Sequence, residues 1–286
     1  MKVLPFKIPK TAESAFHTQI DEEPYFYDTL HQHPEFQLTL IEQSTGSFIH
    51  GDYVGNFAPG EVFVIGANVP HVFRCDDRYY QENEVGAARA LTLFFDQRTF
   101  GTPFLELPEA RALTDFMTVA QRGLKAKPEL AEAMGGMIRQ LFEIQGMEKL
   151  ILLLQILNRL AASTDHDYLT SHGPGKGLKE SEGQRLNDIF HFTMKEYTRP
   201  IKLEEVAAIA YMSPSAFCRY FKQHTRKTYL DFLNEYRISQ ACRLLMETDM
   251  AVSEVCYESG FNNLSNFNRK FKAVMGVTPK GYAKSL

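Results

Sequence analysis

The stretch FCRYFK (residues 217–222) returns as FNRKFK (residues 267–272), so the frame F-x-R-x-F-K stands twice in one chain, 50 residues apart. The likeness extends outward. Leu203-x-x-Val206-Ala207 matches Val252-x-x-Val255-Cys256 at an offset of 49, and residues 213–232 match residues 263–282 at an offset of 50. Two copies of one supersecondary unit are therefore present. In each, a short helix is expected to meet a tight turn (Ala210-Tyr211-Met212, then Ser259-Gly260-Phe261-Asn262) and pass into a second helix. Ser213 is the expected N-cap of the first of these second helices, with Pro214 at its first helical position. Asn262 or Asn263 caps the other, and Gly276 followed by Pro279 ends it. Helix, tight turn and helix make a helix-turn-helix unit.

Helical spacing puts Phe217, Tyr220 and Phe221 on one face of the first helix and Ser215, Cys218, Arg219 and Lys222 on the other. In the second, Phe267, Phe271 and Val274 are expected inside and Ser265, Asn268, Arg269 and Lys272 outside. The aromatics are packing residues. The outer sets have the chemistry that reads base edges: Arg donates two bonds to guanine, Asn pairs with adenine, and Lys and Ser hold phosphates. One such helix is as readily a solvated surface; repetition at the same register is what points to a duplex. Between the copies, residues 228–249 carry Leu233, Tyr236, Ala241, Leu244 and Leu245 at helical spacing. About 19 helical residues make a rod of roughly 28 Å, against about 34 Å for one turn of B-DNA. Such a rod suits two recognition helices in successive major grooves.

Composition agrees once it is read locally. The 286-residue chain is 44% hydrophobic and 23% charged, with a net charge of −4. Up to residue 180 there are 16 Lys+Arg against 24 Asp+Glu (−8), and beyond it 15 against 11 (+4). A polyanion meets the local charge, and here that is the basic C-terminal part. Cys75, Cys218, Cys242 and Cys256 are widely spaced, which suits neither a disulfide framework nor a cysteine zinc site. The N-terminus has no run of signal-peptide length, and the most apolar stretch, residues 150–157, is too short to span a bilayer, so no membrane partner and a cytoplasmic location are expected.

Residues 185–284 resemble the DNA-binding domain of the AraC-type transcriptional regulators. The matching pieces are L-x-x-V-A-x-x-A-x-x-S-x-S-x-F-x-R-x-F-K (203–222), Tyr236-Arg237-Ile238 with Ala241 and Leu244-Leu245, and G-F-x-x-x-S-x-F-x-R-x-F-K ending in G-V-T-P-K-G-Y (260–282). The resemblance implies that double-stranded DNA and the transcription machinery are partners and that the protein is a homodimer. It places Ser215, Cys218 and Arg219 in one groove and Leu264, Ser265, Asn268 and Arg269 in the next. Ser213, Lys222, Asn263 and Lys272 complete the expected DNA-binding set. The first unit departs from the pattern: Ala210-Tyr211-Met212 replaces a glycine-containing turn, and Ser215, Ala216 and Cys218 are small. That unit is expected to lean on Arg219 and phosphate bonds.

Before residue 165 the pattern changes. Residues 36–41, 47–50, 53–57, 61–65, 71–75 and 91–95 are short, β-branched or aromatic runs separated by Gly, Pro and Asn, as in a barrel or sandwich. Helical spacing takes over from about 105–109 to 162. Residues 165–183, rich in Gly, Ser and charge, read as a linker. The expected fold class is α+β with two domains: 1–164 a sensing and dimerisation domain, and 184–286 an all-α double helix-turn-helix domain. HQHPEFQLTLIEQSTGSF (31–48) and FAPGEVFVIGANVPHVF (57–73) look like the cupin, or jelly-roll, domain that many AraC-type regulators carry as a sensor.

His31, His33, Glu35 and Gln37 alternate with Phe36, Leu38 and Leu40, so one face is polar and the other is core. With His71 they form the expected ligand-binding set. The reading adopted is a pocket for a small organic effector with no cofactor; the resemblance suggests a sugar or other carbon source. A metal site of His31, His33 and His71 stays open, as does simple local hydrogen bonding. Against metal, the glutamate three or four residues beyond the second histidine of metal cupins is replaced by Gln37 or Leu38, and their later Asn by Cys75. Leu150, Leu153, Leu154, Leu157 and Leu160 line either the domain's own core or a dimer seam. The leading function is a ligand-responsive transcription regulator that catalyses no reaction. The alternatives are a metal-cupin enzyme with a DNA module and a ligand-independent DNA-binding protein.

Overall fold

A computed structural model describes residues 8, 15–81, 88–170 and 180–284. The chain divides into two compact units, one built chiefly from residues 4–177 and the other from residues 178–286. The first combines two sheets with a set of helices and the second is wholly helical among the described residues, the two-domain α+β class expected from sequence.

The first unit begins with β1 (His17–Glu23), β2 (Phe36–Gln43), β3 (Gly46–His50), β4 (Tyr53–Phe57), β5 (Val62–Ile65), β6 (His71–Cys75) and β7 (Ala88–Phe95). Short helices α1 (Gln97–Phe100) and α2 (Thr102–Leu105) lead to α3 (Arg111–Ala120), β8 (Leu124–Ala126), α4 (Pro128–Glu143), α5 (Gly146–Ala162) and β9 (His166–Tyr168). A six-stranded sheet runs β1-β7-β2-β5-β8-β9 and a three-stranded sheet runs β4-β3-β6. The arrangement is cupin-like, although among the described residues strand pairing does not close the two sheets into one barrel.

Strand β2 explains how the layers form. It is central in the larger sheet, antiparallel to β5 and β7, and its first six residues are buried on both faces. Phe36, Leu38 and Leu40 join Phe116, Met134, Ile138, Leu153 and Ile156 of α3, α4 and α5 in one core. Ile41 faces the other way, into an aromatic core with Phe48, Phe57, Phe63 and Phe73. The period-2 alternation thus sends apolar side chains to a helical cover and leaves Gln37 and Thr39 on the side of Ile41. On α5, Leu152, Leu153, Ile156, Leu157 and Leu160 lie in the domain's own core, while Met147 and Ile151 are exposed.

The expected linker contains ordered pieces: β9 pairs with β8, and a helix starts at Glu180. Residues 171–179 lie outside the described residues. The second unit comprises α6 (Glu180–Glu196), α7 (Leu203–Ile209), α8 (Pro214–Thr225), α9 (Tyr229–Glu247), α10 (Val252–Glu258), α11 (Leu264–Met275) and α12 (Pro279–Lys284). The 19 residues of α9 are buried on several sides because each end serves a different core. Near its start Phe232 stacks on Phe190 of α6 at 4.8 Å, and Tyr229 meets Phe217 and Phe221 of α8 at 5.5 Å each. Farther along, Ile238, Ala241, Cys242 and Leu245 pack with Val255, Cys256, Phe261, Phe267 and Phe271.

Candidate nucleic-acid interface and sensor pocket

The two repeats close their turns with the same hydrogen bonds. In the first, Ala210 N donates to Val206 O (3.1 Å), Tyr211 N to Ala208 O (3.0 Å) and Met212 N to Ala207 O (2.9 Å). In the second, Ser259 N donates to Val255 O (3.0 Å), Gly260 N to Tyr257 O (2.9 Å) and Phe261 N to Cys256 O (3.0 Å). This closure needs a left-handed residue after the helix. Gly260 supplies it with φ 86°, and Tyr211, 90% exposed, takes φ 55° in the equivalent place. The missing glycine therefore left the turn geometry unchanged. Each entry helix is also held alike: Glu205 accepts from Lys202 N (3.0 Å) and Glu254 from Ala251 N (2.9 Å).

Both candidate reading helices are capped by their first polar residue. Ser213 Oγ accepts from Ala216 N (3.4 Å), and Asn263, rather than Asn262, accepts from Asn266 N (2.9 Å). Each ends in a left-handed residue whose N–H returns to a lysine carbonyl: Arg226 (φ 59°) to Lys222 at 2.9 Å and Gly276 (φ 74°) to Lys272 at 3.0 Å. Phe217, Tyr220, Phe221, Phe267 and Phe271 are buried. Ser213, Ser215, Cys218, Arg219 and Lys222 are exposed, as are Asn263, Leu264, Ser265, Asn268, Arg269 and Lys272. Arg269 Nη2 donates to Asn266 Oδ1 at 2.8 Å, which presets its guanidinium one turn along the helix. Val274 is 44% exposed and corrects the inward assignment: it lies in the last turn, beyond the cluster in which Tyr282 of α12 covers Phe271 at 5.7 Å.

Two contacts tie the second repeat to the body of this unit. Arg237, midway along α9, donates from Nε to Tyr197 O (2.8 Å) and from Nη2 to Arg199 O (2.7 Å). Gly260 lies against the same loop, where an added Cβ would stand 2.2 Å from Tyr197 O and 2.9 Å from Arg237 Nε. The α6–α7 loop, the middle of α9 and the second turn thus meet at one point. Lys270 of α11 also reaches Asp231 in the first turn of α9, Nζ to Oδ1 at 3.4 Å.

In the first unit, His31, His33 and His71 each place a ring nitrogen within 4.8 Å of the others. His31 and His33 precede β2 rather than forming part of it, and a backbone bridge pairs His31 with His71 (N to O, 3.1 and 2.9 Å). Every Nδ1 faces a backbone carbonyl: His31 to Thr29 at 2.9 Å, His33 to Glu35 at 3.0 Å and His71 to Val69 at 2.8 Å. Gln37 Oε1 stands 3.0 Å from His33 Nε2 and 3.1 Å from His71 Nε2. Burial pushes all three imidazoles down, His31 to about 4, so they are neutral near pH 7. Glu35 is buried with its carboxylate 3.9 Å from His33 Nδ1, on the side of the ring away from Gln37.

Beside this cluster lies an open-mouthed pocket of about 480 Å³, solvent at its mouth included. Of the expected ligand set, His31 and Gln37 line it, and Glu35, His33 and His71 do not. Its other polar lining comes from Gln19, Asp21, Tyr27, Thr39 and Thr92, none of them anticipated from sequence. Thr39 continues the alternation of Gln37, a signal that was available. Asp21 and Gln19 sit on β1, whose polar sequence HTQIDEE conceals a strand antiparallel to β7. Phe26, Ile41, Phe73, Ala90 and Phe94 make much of the wall apolar, so the pocket suits a small molecule with an apolar body and a few polar groups; three imidazoles with a carboxamide oxygen suit a divalent metal of the zinc, nickel or iron kind.

Comparison with known proteins bears on the helical unit most directly. Residues 206–285 match a family of helix-turn-helix domains. The chain is 36% identical over 103 residues to YdeC, an uncharacterized HTH-type transcriptional regulator of Bacillus subtilis, a match taking in 36% of this chain and 35% of YdeC. It is 22% identical over 255 residues to the HTH-type transcriptional activator RhaS of Pectobacterium atrosepticum, covering 87% of this chain and 85% of RhaS. Among solved structures, the DNA-binding domain of AdpA, determined in complex with a target DNA, shares 30% identity over 35% of this chain and 91% of its own, with a TM-score of 0.34. ToxT from Vibrio cholerae aligns over 95% of this chain and 98% of its own, at 13% identity and a TM-score of 0.38. The first curated relatives are matched over about a third of their length or less, 35% for YdeC and 12% for YtdP.

Proposed function

We propose, from the premise that the C-terminal region of this chain is an AraC-type helix-turn-helix domain, that the protein is a transcription regulator binding double-stranded DNA through α8 and α11. The observation that carries the reading is the repeat itself: two capped helices with identical turn closure, each exposing Arg and Lys at matching positions, Arg219 and Lys222 in one and Arg269 and Lys272 in the other. Arginine on such a face supplies specificity, and the lysines and capping residues hold phosphates. The N-terminal domain, residues 1–164, is the sensor, its small-molecule effector seated in the pocket lined by His31, Gln37, Thr39 and Thr92. It is also the dimerisation module, with Met147 and Ile151 on the exposed side of α5 available for a second copy. No reaction is assigned; the pocket is a binding site.

The test is sequence selection from a random duplex library followed by titration of the selected site. Nanomolar binding that weakens steeply with added salt is the expected result, since displaced counterions accompany each phosphate contact. Failure to enrich any sequence would contradict it.

A further inference from the structure

We infer that the first unit binds one divalent transition-metal ion through His31, His33 and His71, with Gln37 Oε1 as a fourth ligand. A hydrogen-bond chain runs from Asp21 to Gln37. Asp21, as a carboxylate, can only accept, and it receives the hydroxyl hydrogen of Thr92 (3.4 Å). Thr92 can then only accept from Thr39 (3.2 Å), and Thr39, its own hydrogen spent, accepts from the Gln37 amide nitrogen (2.8 Å). Asp21 therefore sets the direction of the whole chain and turns the oxygen of Gln37 toward the histidines.

Carbonyl oxygens of Thr29, Glu35 and Val69 accept from the three Nδ1 positions, so the ring hydrogens of neutral imidazoles sit there and the Nε2 atoms carry lone pairs. Two of those lone pairs then meet the Gln37 oxygen at 3.0 and 3.1 Å, three acceptors facing one another in a buried place. Turning the Gln37 amide would relieve the conflict only by breaking the chain to Asp21. A cation among the acceptors removes it. Burial disfavours a lone proton in this role, since His33 and His71 are almost wholly enclosed. A metal ion fits: two donors about 2.1 Å from one ion are about 3.0–3.4 Å apart, the separation of Gln37 from His33 and His71. Backbone-anchored Nδ1 atoms are also how proteins aim imidazoles at a metal. The histidine nitrogens, within 4.8 Å of one another, need only small side-chain rotations to complete the set.

This inference concerns the pocket proposed as the sensor, but its test is separate from DNA binding. Untagged full-length protein is stripped with a chelator and titrated with zinc and, independently, with cobalt(II). The expected result is one ion per chain, with a visible cobalt spectrum of nitrogen ligation. His71→Ala should weaken binding more than about 100-fold, beyond what loss of an outer-sphere partner costs. Gln37→Glu, which puts an anionic oxygen in the same place, should tighten it at least about tenfold, and Asp21→Asn, a positioning change, should weaken it about tenfold. Circular dichroism confirms that each variant is folded. Absence of stoichiometric uptake by the wild-type chain, or unchanged affinity in both His71→Ala and Gln37→Glu, would overturn the inference while leaving the DNA-binding reading standing.

Discussion

Arg226 and Gly276 occupy the same step of the two repeats, and both are left-handed, at φ 59° and 74°. An L-residue gives up about 1–2 kcal/mol in that conformation, part of which glycine would return as lost chain entropy. Arg226→Gly and Tyr211→Gly should therefore each raise stability by up to about 1 kcal/mol in urea denaturation, because both side chains are exposed. A clear loss of stability would mean that those side chains make contacts the backbone argument ignores. Arg219 and Arg269 lie on the opposite side of the ledger between stability and function. Replacing either with Ala should cost about 1–3 kcal/mol of specific DNA affinity with the melting temperature unchanged, measured by fluorescence anisotropy on the selected site.

Elements decide how far the two repeats act as one body. Gly260 needs both its positive φ of 86° and the absence of a side chain, since a Cβ would collide with Tyr197 O. Gly260→Ala should cost about 3 kcal/mol or more and uncouple the second repeat from the α6–α7 loop, seen as faster amide exchange in α10 and α11. Asp231 is a second tie. Its carboxyl is held below the ordinary range by the Thr228 hydroxyl and then by Lys270. A depressed carboxyl pKa contributes stability above its unfolded value and loses it as pH falls through the folded one. Acid titration of the wild-type chain should thus show a loss below about pH 4 that Asp231→Asn reduces. The helical elements were legible in the sequence because their caps, aromatics and repeat each had a local cause. Strand β1 was not, since an edge strand rich in Asp, Glu and Gln carries no alternating apolar pattern. Strands β8 and β9, of three residues each, are too short to show one.

At the scale of the molecule, the exposed and buried faces of the candidate reading helices were legible from sequence apart from Val274, while the lining of the pocket was legible only in part. Helical faces depend on residues three and four apart; a pocket gathers Asp21, Gln37, Phe73 and Thr92 from four separate strands, and the strand order that joins them is not written in any one. The direction of the chain from Asp21 to Gln37 emerged only from distances, and it favours a metal where the sequence motif had favoured none. The charge asymmetry between the two parts was readable at once and predicts a strong salt effect: affinity for the selected site should fall by about tenfold or more between low and physiological salt. The central claim is that two repeats in one chain read two adjacent stretches of a duplex. Hydroxyl-radical footprinting of the wild type, Arg219→Ala and Arg269→Ala on the same selected site tests it most directly. The expected pattern is two protected stretches about one helical turn, roughly 10 base pairs, apart, with each substitution weakening a different one. A single protected stretch, or both substitutions weakening the same one, would contradict the account.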